Sequence, residues 1–206
     1  MVFITPFAHA EPCEQQEGTL LVLGDSLSAA YGLKAEQGWV SILGQRWHAK
    51  FPKMRVVNAS VSGSTSAAGL KLLPDLLAKH KPQWVVLELG GNDGLQGKPI
   101  SYIRSNLIKM ITLADRARAE VFLVGMRLPP NLGERYTEPF FKMFHDLAEK
   151  RAVSGFLPFL LEGIGTQPKL MQEDGIHPTA EAQELIYSVI EPSLEQWMIR
   201  SAACSA

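Results

Sequence analysis

Short apolar runs alternate along this chain with segments of helical periodicity, and that alternation constrains the fold more than any other feature. Residues 20–23 (Leu-Leu-Val-Leu) and 84–89 (Trp-Val-Val-Leu-Glu-Leu) are continuous apolar stretches, apart from Glu88, and each is followed by glycine. Runs of this kind suit strands buried on both faces. Residues 55–59 and 121–124 read the same way, and 154–160 more weakly. Between them the apolar period lengthens to three and four. Trp39, Ile42, Leu43 and Trp47 mark a helix over 38–50, and Leu70, Leu73, Leu76 and Leu77 one over 65–80. Ile103, Leu107, Met110, Ile111 and Ala114 mark a helix over 100–118. Phe140, Phe141, Phe144, Leu147 and Ala148 mark one over 137–151, read as core packing. A last helix over 178–197 has Pro178 in its first turn, where a missing N–H costs nothing. Strand and helix in strict alternation predict a parallel sheet with helices on both faces. With right-handed crossovers the topology is a doubly wound, three-layer α/β/α sandwich on a five-stranded parallel sheet. No linker or repeat interrupts it, so 11–206 is expected to be one domain.

Composition narrows the partners. Lys and Arg number 20 against 21 Asp and Glu, with no basic cluster, which argues against nucleic acid. No apolar run approaches the roughly 18 residues of a membrane span, so no stable membrane insertion is expected. Residues 1–10 are short and apolar and close on Ala8-His9-Ala10, a small-x-small cleavage pattern. No Lys or Arg precedes Lys34, so the segment reads as the remnant of a truncated signal peptide. A periplasmic or secreted location follows as an expectation. Cys13 and Cys204 lie near opposite ends; a disulfide and two free thiols are both compatible with the sequence. No Cys/His group has zinc-ligand spacing, and no metal is expected.

In doubly wound sheets, ligands bind beyond the carboxyl ends of the strands. Those ends carry Gly24-Asp25-Ser26-Leu27-Ser28, then Asn58-Ala59-Ser60-Val61-Ser62-Gly63, then Gly90-Gly91-Asn92-Asp93. Asp174-Gly175-Ile176-His177 precedes the last helix. Ser26 lies just past a buried strand, at what reads as the start of a helical segment. A serine hydroxyl needs a neighbouring base to become a nucleophile. His177 can supply one, since imidazole exchanges its proton near neutrality. Asp174, three residues earlier across a glycine-containing turn, can reach the ring nitrogen facing away from Ser26 and fix its tautomer. The Ser26 N–H, the Gly63 N–H and the Asn92 side-chain amide are candidate donors to an oxyanion.

Each block also has an ordinary reading. Asp and Ser after a strand make turns and caps, and Gly, Asn and Asp are turn residues. All four falling at successive sheet ends in this order is the stronger observation. Asp25 and Asp93 read as loop-shaping residues, His48 and His80 as cations suited to helix ends, and His145 as a surface or rim residue. Glu88, inside an apolar strand, must find a partner if buried, and the sequence assigns it no role.

Gly24-Asp25-Ser26-Leu27, Gly63, Gly90-x-Asn92-Asp93 and Asp174-x-x-His177 together resemble the SGNH (GDSL) hydrolase family over residues 20–196. The stretches Leu23-Gly24-Asp25-Ser26-Leu27-Ser28-Ala29, Glu88 through Leu95, and Asp174-Gly175-Ile176-His177-Pro178 look like its bacterial periplasmic thioesterase/protease/lysophospholipase (arylesterase) subgroup. The resemblance implies a flavodoxin-like sandwich and a serine esterase without cofactor. It implies Ser26, Asp174 and His177 as catalytic residues, and Ser26, Gly63 and Asn92 as the oxyanion hole. It also implies a shallow groove for single acyl chains, with Leu128 and Pro129 as substrate contacts. Expected substrates are small acyl esters and thioesters and lysophospholipids, handled by a monomer. Carbohydrate acetylesterase, acyltransferase and non-enzymatic binding module are the alternatives.

Overall fold

The computed structural model describes residues 17–150 and 153–203. The signal-remnant reading of residues 1–10 and the question of a Cys13–Cys204 bond lie outside the described residues. The strands are β1 (Gly18–Gly24), β2 (Met54–Asn58), β3 (Trp84–Glu88), β4 (Glu120–Val124) and β5 (Gly155–Leu157). They pair in parallel in the order β2-β1-β3-β4-β5. The longer helices are α1 (Trp39–Lys50), α2 (Ser66–His80), α4 (Ile100–Arg116), α5 (Glu134–Lys150) and α6 (Ala180–Ala203), with a short α3 (Gly91–Leu95) after β3.

Period-two alternation splits the core into two layers. Leu20, Val22, Trp84, Val86, Phe122 and Val124 point to one face, where they pack with Trp39, Leu43 and Trp47 of α1 and Ile186, Ile190 and Trp197 of α6. Leu21, Leu23, Val85, Leu87, Val121 and Leu123 point to the other, against α2, α4 and α5. This is the doubly wound sandwich expected. Removing a buried Leu from either layer would cost about 2–5 kcal/mol.

The chain departs from the sequence reading where turn chemistry competes with periodicity. β5 covers three residues instead of seven because Pro158 has no N–H with which to continue the ladder. Ser26 does not open a helix. Residues 26–31 form turns, held by Ala29 N–H to the Asp25 carbonyl (2.9 Å) and Tyr31 N–H to the Ser26 carbonyl (3.2 Å). Helix α3 was hidden by its composition. Gly90 adopts φ +119°, open in practice only to glycine, and Gly94 N–H then bonds its carbonyl at 2.9 Å. α5 begins three residues early, and α6 runs through Pro192 to Ala203. His145, expected at the surface or rim, is half-buried between the rings of Phe141 and Phe156.

The strand order reverses direction at β1 and β3, so the loops leaving them diverge and open a crevice between them. Ser26 follows β1 and Asn92 follows β3. The fold therefore brings those two loops to the mouth of one cleft.

Candidate active site

A cavity of about 640 Å³ opens at these loops. Ser26, Asn92 and His177 line it together with Leu128 and Pro129. Gly63 is exposed and is not among the lining residues; it takes the left-handed conformation (φ +78°) that favours glycine in a tight turn.

The His177 Nε2 lies 2.8 Å from Ser26 Oγ, and its Nδ1 lies 2.6 Å from Asp174 Oδ2. The other carboxylate oxygen, Asp174 Oδ1, accepts the N–H groups of Ile176 and His177, both at 2.9 Å. Thus the same acid shapes the turn that presents the imidazole and bonds the ring. Partial burial would raise the Asp174 pKa, but the bonds from the His177 ring and from the two N–H groups outweigh it and pull the carboxyl down to about 2. The turn is held from outside by Gln172, which the sequence reading missed. Its N–H donates to the His177 carbonyl (2.7 Å), and its Nε2 donates to the carbonyls of Tyr31 and Pro178, both at 2.9 Å. The Tyr31 ring sits 4.4 Å from the imidazole, centroid to centroid.

On the other side of Ser26 the polar groups are buried. Asp25 Oδ1 accepts Leu27 N–H at 3.1 Å, and Oδ2 accepts the Asn92 Nδ2–H at 3.1 Å. Asn92 Nδ2 also donates to the Ser64 carbonyl at 3.1 Å. Among the described residues, neither the Ser26 nor the Gly63 N–H donates to the protein. Burial pushes Asp25 up to about 6, against the pull of Leu27 N–H, the nearby His177 and the Asn92 amide. Glu88, fully buried at the end of β3, is pushed well above the usual carboxylate range, first by burial and then by Asp25. Asp93 shapes its surroundings as expected: its oxygens accept the N–H (2.6 Å) and Oγ–H (2.8 Å) of Ser66 at the start of α2. Among the described residues, no group of three or more His, Cys, Asp or Glu could hold a metal ion.

Serine, imidazole and carboxylate in line, beside a cleft at the sheet's switch point, form the arrangement that acyl transfer through a serine requires. The comparisons with known proteins agree with it. The profile of the family described as GDSL-like Lipase/Acylhydrolase matches residues 22–185. This chain belongs to that family. The Esterase TesA of Pseudomonas aeruginosa is 48% identical over 177 residues, covering 86% of this chain and 88% of the relative. The Thioesterase 1/protease 1/lysophospholipase L1 of Escherichia coli K12 is 43% identical over 182 residues, covering 88% and 82%. Among solved structures, a crystal structure of TesA superposes with TM-score 0.83 at 47% identity, covering 87% of this chain and 99% of that one. The psychrotrophic esterase EstA from Pseudoalteromonas, in a structure inhibited by monoethylphosphonate, matches at TM-score 0.83 and 38% identity, covering 87% and 98%. The family, the α/β fold and the esterase class read from the sequence are borne out. Among the described residues of this GDSL-like hydrolase, no helix is long and apolar enough to cross a membrane.

Proposed function

We propose that this GDSL-like hydrolase cleaves esters and thioesters of single acyl chains, lysophospholipids included, through an acyl-enzyme on Ser26. The supporting observation is the Ser26–His177–Asp174 line, 2.8 and 2.6 Å, at a cavity with a largely apolar wall. Ser26 Oγ attacks the acyl carbonyl while His177 Nε2 takes its proton. His177 then protonates the leaving alcohol or thiol, and Asp174 keeps the ring in the correct tautomer. Water, activated by the same imidazole, attacks the acyl-enzyme and releases the acid. The uncommitted N–H groups of Ser26 and Gly63 receive the oxyanion, and Asn92 joins them by sharing an N–H already directed at Asp25 or Ser64. Leu95, Met126, Leu128, Pro129, Phe159 and Leu161 offer the acyl chain an apolar wall. In this reading the enzyme works as an exported monomer without metal or cofactor.

The test is steady-state hydrolysis of p-nitrophenyl esters from C2 to C16, comparing wild type with Ser26→Ala. Medium-chain activity that falls by about 1000-fold or more in the variant is expected. Activity confined to C2 would replace the long-chain reading with an acetylesterase. Equal activity in the variant would remove Ser26 from the reaction.

A further inference from the structure

Glu88 is a carboxyl in an otherwise apolar strand, fully buried, and the chemistry proposed above gives it nothing to do. It is register-paired with Gly24, the residue that leads into the nucleophile turn. Its Oε2 accepts Ser28 Oγ–H at 2.7 Å and Asp25 N–H at 3.2 Å, so one oxygen grips the turn on both sides of Ser26. The approach depends on Gly24: a Cβ there would collide with Glu88 Oε2 and would lie 2.9 Å from Ser28. Asp25, gripped by its N–H, in turn holds Leu27 N–H and the Asn92 amide. Glu88 also borders the cavity but has no bond to His177 or Ser26. Every bond it makes runs to the scaffold of the turn.

We infer that Glu88 is a positioning residue that, through Ser28 and the Asp25 N–H, sets the conformation of the nucleophile turn and so aims Ser26 and the Asn92 amide. The inference rests on Ser26 being the nucleophile. A carboxyl buried so deeply and beside Asp25 favours its neutral form, and its second oxygen, Oε1, is buried without a hydrogen-bond partner among the described residues. A neutral acid offers one acceptor oxygen and one donor, and glutamine offers the same pair at nearly the same positions. Glutamine should therefore substitute for it, whereas leucine supplies volume without either polar group.

The experiment compares wild type, Glu88→Gln, Glu88→Leu and Ser28→Ala in the full chain. It reads kcat and KM on a medium-chain p-nitrophenyl ester and the rate constant of labelling by a fluorophosphonate. The labelling amplitude counts correctly folded sites, so loss of folded protein is separated from loss of reactivity. Glu88→Leu is expected to lower kcat and the labelling rate by about 10- to 100-fold with KM within about twofold, because small misplacements of reacting groups have effects of that size. Glu88→Gln is expected to restore both to within about threefold of wild type, and Ser28→Ala to lower kcat by a few-fold with KM unchanged. Glutamine failing as badly as leucine would overturn the inference, as would losses confined to amplitude or KM. If Glu88→Leu does not fold, Ser28→Ala decides: a lowered labelling rate supports the inference and a wild-type rate overturns it. The control is Ser26→Ala. A dead control with normal Glu88 variants defeats this inference alone, and an active control defeats the reading on which it stands.

Discussion

On the His177 side of the cavity the acid is Asp174, with 39% of its side chain exposed. Its partners lie two and three residues away, and their hydrogen bonds lower its pKa to about 2. Beneath Ser26 the acids are Asp25 and Glu88, 3% and 0% exposed, brought together from positions 63 residues apart in sequence, and burial raises both. The same chemical group is therefore tuned in opposite directions within one site. The exposed acid stays charged because its bonds form along a tight turn and water remains near. The buried acids cannot both be charged, since like charges in a poorly solvated space repel and lose hydration. Pairs of titratable groups pushed apart in this way commonly divide their work. Under the proposed mechanism the exposed half faces the proton transfer, and under the inference drawn for Glu88 the buried half holds the geometry.

Breaking the exposed half should have the largest effect. In Asp174→Asn the remaining carbonyl oxygen can still accept Ile176 and His177 N–H, so the turn should survive. The amide nitrogen, however, faces His177 Nδ1 with a donor and favours the wrong tautomer. A fall in kcat of about 10⁴-fold is expected, with little change in melting temperature. A loss of less than about tenfold would show that Asp174 serves the turn and not the imidazole.

The two halves should also separate by pH. The Asp174 pKa lies below the unfolded carboxylate value of about 4. Its contribution to stability is therefore present above pH 4 and is lost as pH falls toward about 2. Asp25 has the opposite sign. With a folded pKa of about 6, its contribution is full below pH 4 and is lost as pH rises through 6. A shift of this size corresponds to about 3 kcal/mol as an upper limit. Denaturant unfolding of wild type and Asp25→Asn from pH 4 to 7 should show wild type losing more stability than the variant as pH rises. Glu88, relieved of its charged neighbour in the variant, shifts the comparison in the same direction. Wild type and Asp174→Asn should differ by a constant over that range, and that difference should shrink only below pH 4. Parallel curves for Asp25→Asn would mean that Asp25 titrates as an ordinary surface acid.

The same contrast governs how much the sequence disclosed. The sheet was legible because both faces of β1, β3 and β4 are buried, so their residues are apolar apart from Thr19, Glu88 and Glu120. The meeting of Ser26, Asp174 and His177 was legible because ligands bind at strand ends in such sheets, and because Asp174 and His177 are near neighbours in sequence. The grip of Glu88 on Ser28 and Asp25 N–H was not legible. It depends on the register of two strands and on the missing side chain of Gly24, neither of which leaves a local pattern. Gln172 escaped for a similar reason. Its bonds run to backbone carbonyls, which any residue offers, so no spacing announces them. Helix α3 was masked by glycines whose composition reads as a turn.

Gln172 supplies the smallest test and the sharpest check on where the boundary between the halves lies. Its Nε2 braces the His177 turn against Tyr31 and Pro178, but its own N–H still holds the His177 carbonyl, and Asp174 still holds the turn from within. Gln172→Ala removes two bonds from a partly solvated position, where each contributes about 1 kcal/mol and water can take over. The expected result is a three- to tenfold fall in kcat/KM on a medium-chain ester, with the fluorophosphonate labelling amplitude unchanged. A fall of about 100-fold or more would mean that the His177 turn depends on contacts from outside it, the role inferred for Glu88 at the Ser26 turn. The exposed half would then owe its geometry to distant residues after all, and the contrast would narrow to one of solvation alone.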